Sequence, residues 1–413
     1  MKQSKITLLV GFGAGFEYYD YVMYAILASF INQNFFPSNN KFIGLFATFG
    51  VFALGNIIRP IGGIILGMIG DRCGRKNIFT ISMILMSAAT FIMGITHSYC
   101  SIGIGGTIIF SLCRILQTIT CGAEIPNATT FLLEHIQEKA RGIHFGFMSS
   151  FIGLGSSFGL LIAYFLTKFL TENQMVSFGF RLPFIFGGLL AFVGFFIRRH
   201  IPETPAFLKM TTSHSKPPSF FSKDHITQTL LVIGVLIFPA CLVVFFLTLP
   251  VYLHDIYHYA YHDIYLAMTI GSLWTSCMIP VFGAITDRFI GRKLLLTVVA
   301  LVFIALSIPM FSLLSLNNKL GLYGFVIAGK TIIAAMAASY FVILPQAFKI
   351  EIRCTGTAFS YNVAYTIAAV IPLAMNYIYG MIGRPIYITL ILTLLATITA
   401  VSTMMIKIRD DKI

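Results

Sequence analysis

Gly67-Met68-Ile69-Gly70-Asp71-Arg72-Cys73-Gly74-Arg75-Lys76 decides the fold, because it returns later in the chain as Gly283-Ala284-Ile285-Thr286-Asp287-Arg288-Phe289-Ile290-Gly291-Arg292-Lys293. Each copy lies between two long apolar runs and sets an acid, a glycine and a cluster of arginine and lysine in the same order. Two copies at matching places imply two structural repeats. A short glycine-bearing turn lets two helices approach closely, and an acid beside arginines can tie one helix end to its neighbour and so latch one conformation. The candidate latch residues are Gly67, Asp71, Arg72, Gly74, Arg75, Glu134 and Arg141 in the first repeat, and Asp287, Arg288, Gly291 and Arg292 in the second. One extra residue, Phe289 or Ile290, leaves the second latch geometry less defined than the first.

The runs on either side of these motifs extend over the whole chain. Hydrophobic residues make up 57% of the 413 positions, charged residues 10%, and mean hydropathy is +0.87. That leaves too little polar surface to cover a soluble globule, so the solvent is lipid. Runs long enough to cross the hydrocarbon are expected near 7–31, 43–69, 78–97, 102–133, 143–168, 182–198, 228–253, 263–284, 294–315, 321–347, 356–378 and 386–408. They are continuous rather than alternating, which excludes a closed barrel and leaves helices. The expected fold is an all-α membrane protein of twelve transmembrane helices in two six-helix bundles, 1–198 and 227–413, joined by a polar linker over 199–226.

A net charge of +13 raises nucleic acid as a partner, and its distribution removes it. Most Lys and Arg residues sit in even-numbered loops and at the termini, whereas the opposite loops and their borders hold only Lys41, Lys168, Arg181, Lys319 and Arg384. This is the asymmetry of the positive-inside rule. Both termini are therefore expected in the cytoplasm of a cell whose plasma membrane, a bacterial inner membrane, holds the chain. Met1-Lys2-Gln3-Ser4-Lys5 runs into a first span with acids and no small-residue cleavage site, which reads as a retained helix. Seven cysteines form no C-x-x-C pair, and neither a disulfide framework nor a metal site is expected. The cluster His254, Asp255, His258, His262 and Asp263 reads as a solvated loop. No cofactor is expected, and no nucleophile and base set or phosphate loop suggests an enzyme.

The duplicated motif resembles the cytoplasmic loop signature of the major facilitator superfamily. Other stretches resemble its metabolite:proton symporter branch: Glu17-Tyr18-Tyr19-Asp20-Tyr21, Phe35-Phe36-Pro37, Arg59-Pro60-Ile61-Gly62-Gly63, Arg114-Ile115-Leu116-Gln117, Arg181-Leu182-Pro183-Phe184 and Pro202-Glu203-Thr204-Pro205-Ala206-Phe207. The resemblance covers nearly the whole chain and implies alternating access with carriers of proline and betaine, 2-oxoglutarate, citrate and shikimate as relatives. Two departures stand out. Gln117-Thr118 replaces the usual Gln-Gly, and Gln346 stands where an acid is expected before the tenth-to-eleventh loop, with Glu351 nearby. Osmosensing relatives carry a cytoplasmic coiled-coil tail; this sequence ends at Ile413, so such gating is not expected.

Ionisable groups at membrane depth are costly and mark function. The candidates are Glu17 and Asp20 in the first span, Arg59 in the second, Arg114 and Glu124 in the fourth, and Lys330 in the tenth. Glu17 and Asp20, three apart, share a helix face, and with Glu124 they are the candidate proton-coupling acids. Asp287 follows Asp71 by 216 positions, and Lys330 follows Arg114 by the same 216, so each repeat carries one cation at an equivalent place. Sites at the repeat interface would then receive a cation from each side. Arginine and lysine suit a carboxylate, so Arg59, Arg114, Lys330, Gln117 and Tyr24 are the candidate substrate-binding residues. Structural readings stand beside these: the acids can simply pair with Arg59, and Arg114 with Glu124. The expected function is proton-coupled symport of a small carboxylate-bearing solute by a monomer, with zwitterion and organic anion both open. Antiport, uniport and a non-transporting solute sensor are the alternatives.

Overall fold

The computed structural model describes residues 3–37, 41–198, 203–204, 206–208, 222–259, 261–316, 318–382 and 386–409; the side chains of 41–49, 191–198 and 371–382 lie outside that description. Its long helices are α1 (Gln3–Ile26), α2 (Lys41–Cys73), α3 (Arg75–Ile95), α4 (Ile104–His135), α5 (Arg141–Phe169), α6 (Arg181–Arg198), α7 (Lys223–Tyr257), α8 (Tyr261–Arg288), α9 (Arg292–Ser312), α10 (Lys319–Gln346), α11 (Arg353–Ile382) and α12 (Ile386–Met405). Among the described residues no strand occurs. Helices are the local solution because lipid offers backbone N–H and C=O groups no partner outside the segment itself. By length and composition, 8 helices qualify as membrane spans among the described residues. Helix α1 falls outside that set because Glu17, Asp20 and a run of tyrosines interrupt its apolar character.

Large apolar side chains face outward, among them Leu112, Phe169, Leu189, Leu306 and Leu394, as a lipid-facing surface requires. The interior shows the reverse: Arg75 and Arg353 are among the largest side chains with under 2% exposure. Helix α2 packs along α11, and α5 along α8, so two seams join the first six helices to the last six. Small residues set their closeness, as they do where van der Waals packing holds helices together in lipid. A Cβ on Gly67 would lie 2.8 Å from Thr355 Cα, and one on Gly146 would lie 2.7 Å from Pro280 Cα. Within the first six helices, Gly15 of α1 and Gly155 of α5 approach equally closely, which gives Gly15 of the first-span glycines a packing role.

The expected linker over 199–226 falls largely outside the described residues, and α7 begins inside it at Lys223. Helix α7 runs unbroken past Pro239; the side chain of Pro250 lies outside the described residues. Of the histidine cluster, the side chains of His254, Asp255 and His262 also lie outside them. Asp263 pairs with Lys319 at 2.8 Å.

Candidate substrate and proton site

Helix α1 places Glu17 and Asp20 one turn apart, both 2% exposed, yet it sends them to different partners. Glu17 Oε1 lies 3.9 Å from Arg59 Nη2 of α2 and accepts from Cys121 Sγ of α4 at 2.6 Å. The Arg59 guanidinium sits 6.0 Å from the Tyr21 ring centroid and 5.8 Å from that of Tyr361, on α11. Arg59 therefore touches aromatic faces from both sets of six helices, an arrangement that attracts a cation to the ring quadrupole.

Asp20 joins a second cluster. Thr90 Oγ1 of α3 donates to Asp20 Oδ2 at 3.0 Å, Gln117 Nε2 donates to Thr90 Oγ1 at 2.8 Å, and Arg114 Nη1 donates to Gln117 Oε1 at 2.5 Å. Arg114 also lies 4.2 Å from the Tyr24 ring centroid and 5.8 Å from that of Tyr21. Glu17, Tyr21, Met86, Arg114, Gln117, Thr118 and Cys121 line a small cavity between α1, α3 and α4. An acid and a guanidinium thus border one space, which in this conformation has room for about one water molecule.

The other candidates lie apart from this cavity. Glu124, two turns beyond Gln117 on α4, accepts from Ser82 Oγ at 2.7 Å. Lys330 Nζ donates to Ser272 Oγ of α8 at 3.3 Å and lies 5.2 Å from the Phe246 ring centroid of α7. Among the described residues it meets no carboxylate. Each of the two repeat-related cations is held by helices of its own six-helix set.

The motif residues build a cross-connection at one face of the molecule. Asp71 caps the start of α11, accepting from Cys354 N at 3.0 Å, Thr355 N at 2.9 Å and Thr355 Oγ1 at 2.7 Å. Asp287 caps the start of α5 in the same way, accepting from Gly142 N at 2.8 Å and Ile143 N at 2.9 Å. Carboxylates at helix N-termini satisfy orphan N–H groups and meet the positive end of the helix dipole. In the first repeat Arg75 lies 3.6 Å from Asp71 and 3.4 Å from Glu134, and Glu134 holds Arg353 at 3.1 Å. In the second, Arg292 pairs with Asp287 at 2.9 Å. Gln346 occupies the place matching Glu134, 212 positions on, just as Arg353 matches Arg141. Among the described residues its buried Oε1 has no hydrogen-bond partner.

Not every motif residue joins this latch. Arg72 and Arg288 follow their aspartates directly, which turns them about 100° round the helix, and both are exposed. Gly74 has a φ of 103°, and a Cβ there would strike Glu203 Oε2. Gly291 has an ordinary φ of −59° and open space around it. At Gly291, unlike Gly74, neither the backbone conformation nor the surrounding space requires a glycine. Arg141 Nε reaches Ile136 O at 3.4 Å.

The family model of the Major Facilitator Superfamily matches residues 10–372. The chain belongs to that superfamily. Major facilitator proteins are transporters rather than enzymes, and this one is a solute transporter by its relatives. A proline/betaine transporter of Salmonella typhimurium is 28% identical over 97% of this chain and 83% of its own length. A putative proline/betaine transporter of Staphylococcus aureus is 31% identical over 96% of this chain and 86% of its own. In fold it is similar to the proton:xylose symporter XylE, with a TM-score of 0.71 at 18% identity, covering 97% of this chain and 94% of that one.

Several partners in these clusters carried no sequence signal. Thr90, Ser82 and Cys121 are ordinary small residues of membrane helices and reach their acids only through packing. Arg353 had a readable signal, the 212-position match to Arg141. Glu203 and Thr204 were visible in the Pro-Glu-Thr-Pro stretch without a role. Glu203 caps the start of α3 through Arg75 N and Lys76 N, and Thr204 Oγ1 donates to Glu134 at 2.5 Å.

Proposed function

We propose that this major facilitator protein is a proton-coupled symporter of a small zwitterion, of the proline or betaine kind, working by alternating access between two six-helix bundles, 1–198 and 227–413. The observation that carries this reading is the cavity in which Arg114 and Glu17 face one space. Arg114 would take the substrate carboxylate, Glu17 with the ring of Tyr21 would face its ammonium, and Asp20 would take the proton. The 28–31% identical proline/betaine transporters support the substrate class. In this reading the latch face is cytoplasmic, as are both termini, the membrane is a bacterial inner membrane, and the protein acts as a monomer.

The test is uptake into proteoliposomes. Labelled proline or glycine betaine should accumulate when the outside is acidified, and counterflow should persist without a pH gradient. Counterflow without gradient-driven accumulation points to a uniporter; no counterflow for any solute points to a sensor. A second reading, an organic-anion carrier, draws on Lys330, which meets no carboxylate among the described residues. Inhibition of uptake by 2-oxoglutarate or citrate, and not by betaine, would favour it.

A further inference from the structure

We propose that Thr90 and Gln117 are positioning residues that couple the charge of Asp20 to the readiness of Arg114, so that the two buried acids of α1 divide their work: Asp20 reports the proton, while Glu17 stays with Arg59 and Cys121. This deepens the symport reading and rests on it.

The argument is one of hydrogen-bond direction. A guanidinium only donates, so the 2.5 Å contact from Arg114 Nη1 fixes Gln117 Oε1 as acceptor. Its Nε2 must then turn toward Thr90 and donate at 2.8 Å. The Thr90 oxygen is occupied as acceptor, which leaves its single proton for Asp20 Oδ2 at 3.0 Å, and a carboxylate accepts it. All three bonds run one way, from cation to anion, and none can reverse while Asp20 is ionised. Exposure is 3% at Arg114, 2% at Gln117, 0% at Thr90 and 2% at Asp20, so water does not compete for these bonds.

A proton arriving on Oδ2 places two donors at one contact. The Thr90 hydroxyl then rotates away, or, with the proton on Oδ1 instead, keeps only a neutral carbonyl as acceptor; either way the chain loses the anion that held it in order. Arg114, which lines the cavity, is left with a weaker hold and meets a substrate carboxylate more readily. Linkage makes the effect mutual: a carboxylate on Arg114 draws the guanidinium off Gln117 and favours the proton on Asp20. The surroundings suit a single titrating group. Among the described residues, the charged or titratable groups near Asp20 are Arg114 from α4 and Tyr19 on α1, whose hydroxyl donates to Pro183 O. Helix α3 contributes Thr90, and α6 contributes the backbone at Gly187, where a Cβ would strike Asp20. Glu17, on the same α1 face, is engaged by Arg59 and Cys121.

The decisive measurement needs no knowledge of the substrate. An infrared pH titration of the protein in liposomes should contain a carboxylic-acid band that Asp20→Asn removes. Thr90→Val should move the midpoint of that band to higher pH by about one unit, since it deletes a bond that the carboxylate accepts more strongly than the neutral acid does. Thr90→Ser should restore it. Gln117→Leu cuts the chain one bond further on, and the double variant Thr90→Val with Gln117→Leu should shift no more than the larger single change, because both break one path. A midpoint unmoved in Thr90→Val, strictly additive shifts, or no band assignable to Asp20 overturns the inference. Proteoliposome uptake of labelled glycine betaine separates it from the symport reading. Uptake indifferent to the proton gradient overturns symport, while proton-driven uptake with an unmoved band overturns only the role of Thr90 and Gln117. Where Thr90→Val does not insert, Thr90→Ala carries the same comparison.

Discussion

At the scale of single residues, chemistry at membrane depth rests on which partner each charge finds. Glu17 meets a guanidinium and a thiol, Asp20 a hydroxyl, and Arg114 an amide and a tyrosine ring. Spacing in the sequence singled out these charges, because an ion inside hydrocarbon has few structural excuses. It gave no hint of Thr90, since a threonine in a membrane helix ordinarily bonds its own backbone, as Thr118 Oγ1 does with Arg114 O at 2.8 Å. We expect Arg114→Ala to abolish uptake while the protein inserts at normal levels, and Lys330→Ala to do so only for an organic-anion carrier. Uptake and membrane abundance measured side by side check this, and normal proton-driven uptake in Arg114→Ala would refute the substrate-binding assignment.

At the scale of elements, two helix ends hold two other helix starts. Asp71→Asn keeps the shape of the α11 cap and removes its charge, so the cap should weaken by about 1 kcal/mol. Cys354, buried and with its N–H on Asp71, then becomes the reporter. In a background in which the exposed Cys73, Cys100 and Cys277 are serine, maleimide labelling of Cys354 should speed up several-fold in Asp71→Asn. The seams give a second test. A valine at Gly146 must push against the backbone of Pro280, so Gly146→Val should cost about 1–3 kcal/mol of overpacking and slow uptake; a melting curve and an initial rate measure both. The helices were legible because lipid imposes continuous apolar runs. The cap on α11 was not, because a motif says that an aspartate is present and not which backbone amides it will meet.

At the scale of the whole molecule, the latch is unequal. Glu134 gathers Arg75, Arg353 and Thr204 at one connection, while the matching position of the other holds Gln346, whose buried Oε1 has no partner among the described residues. Gln346→Glu should restore the missing carboxylate, raise the melting temperature and lower the turnover number, because a firmer connection lengthens the time spent closed at that face; unchanged turnover would show that this end does not limit the cycle. The repeat, the run of spans and the superfamily were written in the sequence, because hydropathy and a duplicated motif are local properties that lipid reads directly. The 216-position match between Arg114 and Lys330 was also local, and it invited the idea of two cations meeting at one centre. Only the tertiary structure decided that each stays with its own helices, Arg114 on Gln117 and Tyr24 and Lys330 on Ser272 and Phe246. Symmetry in sequence fixes the height of a residue along its helix, whereas the direction of its side chain follows from packing against neighbours the two repeats do not share.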